Sequence, residues 1–306
     1  MTQTILITGS ASQLARCLAL RAAPPPWRAR YLARGELDIA DASQVARVLD
    51  KAAPDCIINT AAHTAVDRAE SEPVRAWRVN AEGVANLADW CRRNDARLIH
   101  ISTDFVFDGL STTPYAPGAE EAPLGEYGAS KLAGEREMYT LAPRRGAVLR
   151  ASWLYSEFGD NFVKTMLRLM EARDEIAVVN DQIGCPTSAH TLAALIWRMV
   201  EGEPGQDLYH WNDGGTMSWF EFAREIRRQG LAAGLLRRET PIRAISSAQY
   251  PTTAARPAYS AMDRSEALAE YNMPATGWRD ELNRVIRALA RGPRLAASQG
   301  VNADAT

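Results

Sequence analysis

Apolar positions along the first half of the chain fall into two alternating patterns. Short continuous runs at Thr4–Thr8, Arg30–Ala33, Cys56–Thr60, Arg97–Ser102 and Ala147–Arg150 read as strands. Between them, Gln13–Ala23, Ser43–Ala53, Pro73–Asn94 and Gly128–Leu141 carry helical spacing. The first of these stops at Pro24-Pro25-Pro26, and the second has Asp41 or Ser43 as its N-cap. Strands without polar interruption, alternating with helices, predict a parallel sheet covered on both faces. Right-handed crossovers make it doubly wound, with ligands beyond the carboxyl ends of the strands.

After residue 151 the texture changes. Loops lengthen, Asp181–Thr187 and Tyr250–Thr253 are turn-rich, and helical stretches recur near 161–173, 189–201, 218–230 and 278–291. The expected organisation is a nucleotide-binding domain over 1–150 and a smaller α+β substrate-binding domain over 151–291. The stretch 189–211 returns to the sheet, and 292–306 reads as a mobile tail.

Composition narrows the options. The chain has 306 residues, 46% hydrophobic and 24% charged, with 35 basic against 37 acidic side chains. That near-balance excludes the basic excess of a nucleic-acid binder or a polybasic membrane anchor. No apolar run is long enough for a membrane span, and the first residues read as a strand instead of a signal peptide. Cys17, Cys56, Cys91 and Cys185 are scattered, which suits reduced thiols in a cytoplasmic protein. With only four histidines and no ligand spacing, no metal is expected. Nearly every cation is Arg; Lys51, Lys131 and Lys164 are the only lysines, so a surviving lysine stands out.

The first strand runs into Thr8-Gly9-Ser10-Ala11-Ser12-Gln13-Leu14-Ala15. A dinucleotide site needs a tight glycine turn there and phosphates lying on a helix N-terminus. Gly9 fits, whereas Ser12 and Ala15 stand where further glycines are usual. The acidic residue expected after the second strand is replaced by Arg34, which suits the 2′-phosphate of NADPH or a solvated surface equally well. Asp38 and Ile39 would flank the adenine.

The sharpest chemical signal is Tyr127-Gly128-Ala129-Ser130-Lys131. Tyrosine and lysine at i and i+4 share one helix face. A phenol of ordinary pKa about 10 works as a general acid near neutrality only if shifted down, and a neighbouring ammonium does that. A hydroxyl to share the carbonyl oxygen is supplied by Ser102 or Thr103 at the end of the fourth strand.

Together with INTAAHTAVDRAESEP, VNAEGVANLA, HISTDFVFDG, YGASKLAGE, NFVKTMLRL, DQIGCPT and YPTTAARPAYS, these residues resemble the extended short-chain dehydrogenase/reductase superfamily. Within it they are most similar to the dTDP-4-dehydrorhamnose reductase family. The resemblance spans residue 5 to about 290. It implies a Rossmann-like α/β fold and NADPH-dependent (or NADH-dependent) reduction of the C4 keto group of dTDP-4-dehydro-L-rhamnose. It implies Tyr127 as proton donor, Lys131 as its tuner and Thr103 as carbonyl polariser, with Asn80 holding the helix geometry. Ser12, Gln13 and Leu14 would cradle the pyrophosphate, and Ala62, His63 and Thr64 would line the cofactor. Thr103, Asp104 and Trp153 would meet the deoxysugar, and Asn161, Asp181, Gln182 and Arg256 the thymidine diphosphate. Related sugar dehydratases carry Asp then Glu after the active-site Thr; here Asp104 is followed by Phe105, which favours reduction over elimination. Thr60 stands where relatives tend to have Ala. Another keto substrate, a non-catalytic regulatory role for the same fold, and a homodimer all remain open from sequence.

Overall fold

The computed structural model describes residues 2–141, 146–275 and 277–292. Strand β1 (Gln3–Thr8) buries Ile5, Leu6 and Ile7 completely, so both of its faces are covered. Helix α1 (Gln13–Ala19) starts where the Ser12 hydroxyl accepts from the Ala15 amide. It ends four residues before the predicted Ala23, where the Leu20 and Arg21 amides turn to the Cys17 and Leu18 carbonyls in a tightened last turn. Strand β2 (Trp27–Leu32) begins three residues earlier than Arg30; it lies at the sheet edge, where alternating arginines disguise it. Helix α2 (Ala42–Ala52) is capped by Asp41, whose carboxylate accepts from the Gln44 amide at 3.0 Å. Strand β3 (Cys56–Asn59) is buried throughout.

The stretch that pattern alone reads as one long helix is broken. Pro73–Asn94 divides into α4 (Pro73–Trp77), a π-helical turn at Arg78–Glu82 and α5 (Gly83–Asn94), and a further short helix, α3 (Val66–Ser71), precedes it. The π turn carries Asn80, whose side chain points inward. Strand β4 (Arg97–Thr103), α6 (Glu126–Leu141) and β5 (Gly146–Ala151) complete the first half.

Beyond it come β6 (Leu154–Tyr155), α7 (Phe162–Ala172), β7 (Ile176–Val179), β8 (Ile183–Gly184) and β9 (Thr187–Ser188). They are followed by α8 (Ala189–Glu201), β10 (Leu208–Trp211), β11 (Met217–Ser218), α9 (Trp219–Ala232), β12 (Ile242–Ile245), α10 (Ser265–Glu270) and α11 (Trp278–Ala290).

The main sheet has six parallel strands in the order β10-β5-β4-β3-β1-β2. Alternation along each strand sorts side chains between two layers. Ile5, Ile7, Ile58 and Leu149 face α1 and α8, whereas Leu6, Ile57, Leu98 and Val148 face α2, α5 and α6. This is the Rossmann-like doubly wound α/β class that the alternation predicts. A third core packs α7, α9 and α11 through Met166, Phe222, Ile226, Trp278 and Leu282, beside the β7–β12 pair. Helix α8 and β10 belong to the main sheet layer. Past Gly292, the stretch read as a tail lies outside the described residues. Among those residues, no helix is long and apolar enough to cross a membrane.

Under the sheet end that carries Thr103, a charged cluster is sealed from water. Arg150 and Glu135 are both fully buried and meet at 2.6 Å; Arg150 also reaches Glu121 at 2.7 Å, and Ser102 donates to Glu135. Such a pair stabilises weakly, yet breaking it strands a charge. Glu135→Leu is expected to lower stability by about 3–5 kcal/mol in urea unfolding. The double variant Glu135→Leu/Arg150→Met should lose less than that single change.

Candidate active site

The parallel register ends β1 and β3 at one level, where Thr8 pairs with Asn59 and Asn59 with His100, and β4 runs three residues further to Thr103. The segments that leave those ends build the site. Gly9 turns the chain at φ +66°, where a Cβ would sit 3.0 Å from the Ala61 backbone. Ser12 and Thr60, two of the three departures from the expected residues (Ala15 is the other), meet each other. Their hydroxyls lie 2.9 Å apart, and Thr60 donates onward to the Thr8 carbonyl at 2.6 Å. The serine side chain is thereby drawn to the loop after β3 and to its capping bond. Gln13 and Leu14 present first-turn amides that have no acceptor among the described residues.

Gly9, Ser12, Arg34, Asp38, Ile39, Ala62 and His63 line one groove of about 260 Å³. Arg34 is exposed and ion-paired to Asp38 at 3.1 Å, so its guanidinium stands at the rim. Asp38 also accepts from the Ala40 amide at 3.1 Å. His63 is held by Asn80, which accepts from its amide at 2.8 Å and donates to its carbonyl at 3.1 Å. Asn80 also donates to Ser130 at 3.1 Å, tying the π turn to α6. Burial and the nearby Arg75 hold the His63 imidazole below its ordinary pKa. Thr64 is exposed and lies outside the groove lining; the Gln13 side chain turns to Leu154 and Ser156. Leu14 is buried in the core, so it can offer only its backbone.

Helix α6 presses onto the turn after β4. A Cβ at Gly128 would come within 2.1 Å of the Phe105 carbonyl, so glycine after Tyr127 is what lets the helix approach. Tyr127 packs edge-on to Phe105, with ring centroids 5.4 Å apart, and lies beside Thr103, whose hydroxyl donates to Asp104 Oδ1 at 3.2 Å. Lys131 lies one turn further on and is buried. It donates to the Ile101 carbonyl at 2.6 Å and lies 3.2 Å from His100 Nε2.

The electrostatics differ from the sequence expectation. Burial pushes the Tyr127 phenol up to about 12, only partly offset by Thr103, with Asp104 adding to the rise. Desolvation outweighs the neighbouring lysine because the Lys131 nitrogen is turned towards the sheet. Burial likewise pulls Lys131 down to about 8, against the charge of Glu135. Asp104 is buried and pushed up to about 6; Thr103 and Ser260 bond to it, while its Oδ2 has no partner.

A second cavity, about 530 Å³, opens on the other side of Phe105, lined by Trp153, Phe162, Gln182, Trp219, Tyr250 and Arg256 among others. Trp153 adopts φ +46° and stacks on Trp219 with centroids 3.4 Å apart, forming an aromatic wall. Arg256 pairs with Asp67 of α3 at 2.7 Å. The four residues expected at the diphosphate therefore divide. Gln182 and Arg256 reach the cavity. Asn161 and Asp181 are absent from its lining, and their polar atoms bond within neighbouring loops. Asn161 caps α7 and donates to the Ser156 and Phe158 carbonyls, and Asp181 accepts from the Ser247 amide and hydroxyl.

Sequence reasoning missed Phe105, Trp219, Tyr250 and Asp67 as site residues. Aromatic positions on α9 look like any core stripe, and an Asp–Arg pair 189 residues apart leaves no local trace. Nor does spacing announce Cys17, Glu157 and His190, whose ligand atoms lie within 4.8 Å of one another. There His190 and Glu157 already pair at 2.8 Å, and burial pushes the Cys17 thiol up to about 12.

The model of a family described as the RmlD substrate binding domain matches residues 3–291. A curated dTDP-4-dehydrorhamnose reductase of Aggregatibacter actinomycetemcomitans is 39% identical over 292 residues, covering 94% of this chain and 99% of that one. The crystal structure of a dTDP-4-dehydrorhamnose reductase from Clostridium acetobutylicum superposes with a TM-score of 0.87 at 34% identity, covering 94% of this chain and 99% of the other. A dTDP-4-dehydrorhamnose reductase from Bacillus anthracis, solved in complex with NADP, gives a TM-score of 0.86 at 36% identity, with coverage of 93% and 99%.

The raised Asp104 pKa has a stability consequence. The folded state binds its proton more tightly than the unfolded chain, so stability falls as pH rises from about 4 to about 6. Asp104→Asn removes that fall. The stability difference between variant and parent should shift in the variant's favour by about 3 kcal/mol between pH 4 and pH 7, measured by urea unfolding at each pH.

Proposed function

The chain belongs to the dTDP-4-dehydrorhamnose reductase family, and from that premise we propose that it reduces the C4 carbonyl of dTDP-4-dehydro-L-rhamnose to give dTDP-L-rhamnose, with NADPH as reductant. The observation that carries the reading is the placing of Tyr127 beside Thr103 at the carboxyl end of β4, with Lys131 one helical turn behind.

The groove along β1–β3 suits a dinucleotide: Gly9 leaves no side chain at the turn, and the first-turn amides of α1 offer donors. Arg34 at the rim would take the 2′-phosphate through a charge-assisted hydrogen bond, sharing its guanidinium with Asp38. When bound, NADPH supplies the hydride that enters at C4. Thr103 and Tyr127 donate to the carbonyl oxygen, and as charge develops there the phenol gives up its proton, so C–H and O–H bonds form together. A phenol with a high pKa in the free protein starts fully protonated, which is the form a donor requires. Lys131 beneath it can return the proton. Arg256 and Gln182 face the cavity where the nucleotide diphosphate would lie, and Trp153 on Trp219 gives the sugar a flat apolar wall. Phe105, in place of a second carboxylate, leaves Asp104 without the partner that would complete an acid–base pair for elimination beside Thr103.

Every residue named belongs to one chain, so the reading holds for a monomer and a homodimer alike. We place the reaction in the cytoplasm, a reading supported by four buried cysteines that are all free thiols.

The test is NADPH oxidation on dTDP-4-dehydro-L-rhamnose, with NADH in parallel. Tyr127→Phe should lower kcat by about 10²–10⁴-fold while leaving NADPH affinity unchanged. Arg34→Ala should raise KM for NADPH about tenfold and leave that for NADH unaltered. Wild-type turnover in Tyr127→Phe would remove the proposed donor.

A further inference from the structure

Three polar side chains stand abreast inside the sheet. Thr8 of β1, Asn59 of β3 and His100 of β4 are register partners, and all are fully buried. They lie on the face that Leu6, Ile57 and Leu98 share, under α6. Thr8 donates to Asn59 Oδ1 at 2.7 Å, and the Ala61 amide donates to the same oxygen at 3.2 Å. The Ala61 N–H, which reaches Thr8 Oγ1 at 3.3 Å as well, can only donate and draws the amide oxygen to this side. Asn59 Nδ2 must then face His100 Nδ1, at 3.0 Å, and donate to it.

The tautomer follows. An imidazole that accepts at Nδ1 and is neutral carries its hydrogen on Nε2. That N–H points at Lys131 Nζ, 3.2 Å away. An ammonium has no lone pair to receive it. The bond is satisfied only by a neutral amine, which accepts from His100 and donates to Ile101.

We infer that His100 is the positioning residue of Lys131: aligned by Asn59, it holds the lysine nitrogen as a hydrogen-bond acceptor, so the lysine takes up a proton only when the imidazole tautomer and the Asn59 amide turn over together. In the protonated arrangement His100 carries its hydrogen on Nδ1 and accepts from the ammonium at Nε2. Asn59 then offers its oxygen to His100 and loses the Ala61 bond. The charge state of the lysine is thus linked to the loop that forms the floor of the dinucleotide groove.

The other ionisable groups near this nitrogen are Tyr127 and Glu135 of α6. Glu135 is held by Arg150 of β5 and Ser102 of β4. On its far side Tyr127 meets Thr103 and Asp104. None of these groups takes the His100 hydrogen. Burial agrees with the assignment, since it keeps His100 far below the ordinary imidazole range and Lys131 near 8.

The inference rests on Lys131 serving the reduction site, but its test requires no turnover. The full chain labelled with ¹⁵N-histidine has four imidazoles to assign, and their nitrogen shifts distinguish the two neutral tautomers from the cation. His100 should change from the Nδ1–H form to the Nε2–H form as pH rises through the lysine midpoint near 8, without passing through imidazolium. Asn59→Asp, which presents only acceptors to Nδ1, should abolish the change and hold Nδ1–H throughout. It should also move the lysine midpoint upward by about one pH unit or more. A single tautomer across pH 6–10 in the parent protein (range set by about two units either side of the midpoint), or an imidazolium, would overturn the assignment whether or not the Asn59 variant folds. Such a failure would leave the reductase reading intact. Absence of NADPH oxidation with the tautomer change present would refute that reading alone.

Discussion

Everything in the cleft depends on the parallel register of β1, β3 and β4. Because Thr8, Asn59 and His100 are paired, β1 and β3 release their chains at one height and β4 carries on three residues beyond them to Thr103. Gly9 turns one way, Thr60–His63 form the floor, and Thr103 ends the third strand beside α6. A slip of one residue in any strand would turn its side chains to the opposite layer. It would also separate Thr103 from Tyr127. The cores on both faces therefore do more than stabilise: they hold a register whose consequence appears one residue past the sheet.

Burial has a second effect. The same exclusion of water moves Tyr127 up, Lys131 down and Asp104 up, each towards its neutral form. A reaction that must develop negative charge on an oxygen is served by such a place, where a few fixed donors act without competition from solvent. The cost is visible in Asp104, a carboxyl kept where its ionised form is poorly satisfied.

The fold was largely legible in the chain. Continuous apolar strands and intervening helices identified the doubly wound sheet, because burial on both faces leaves a signal that needs no partner. The Tyr127–Lys131 spacing was legible for the same reason, since it is local to one helix. What escaped detection was non-local or disguised. The π turn around Asn80 is hidden within a helical pattern; β2 is masked by arginines at an edge. The pKa of Tyr127 depends on the packing of Phe105 and on where the lysine nitrogen turns, neither of which spacing encodes. Asn161 and Asp181 carry the right chemistry for a diphosphate. Their hydrogen-bonding capacity goes instead to a helix cap and to the Ser247 turn, a choice made by loop geometry.

The hydroxyl contact between Ser12 and Thr60 gives the turn after β1 an unusual dependence. A glycine-rich turn owes its shape to missing side chains; this one owes part of its shape to two that are present and engaged with each other. Either residue alone would leave a polar group crowding the loop without its companion. The pair therefore ties the cap of α1 to the segment after β3, so that a change at one hydroxyl is felt at both.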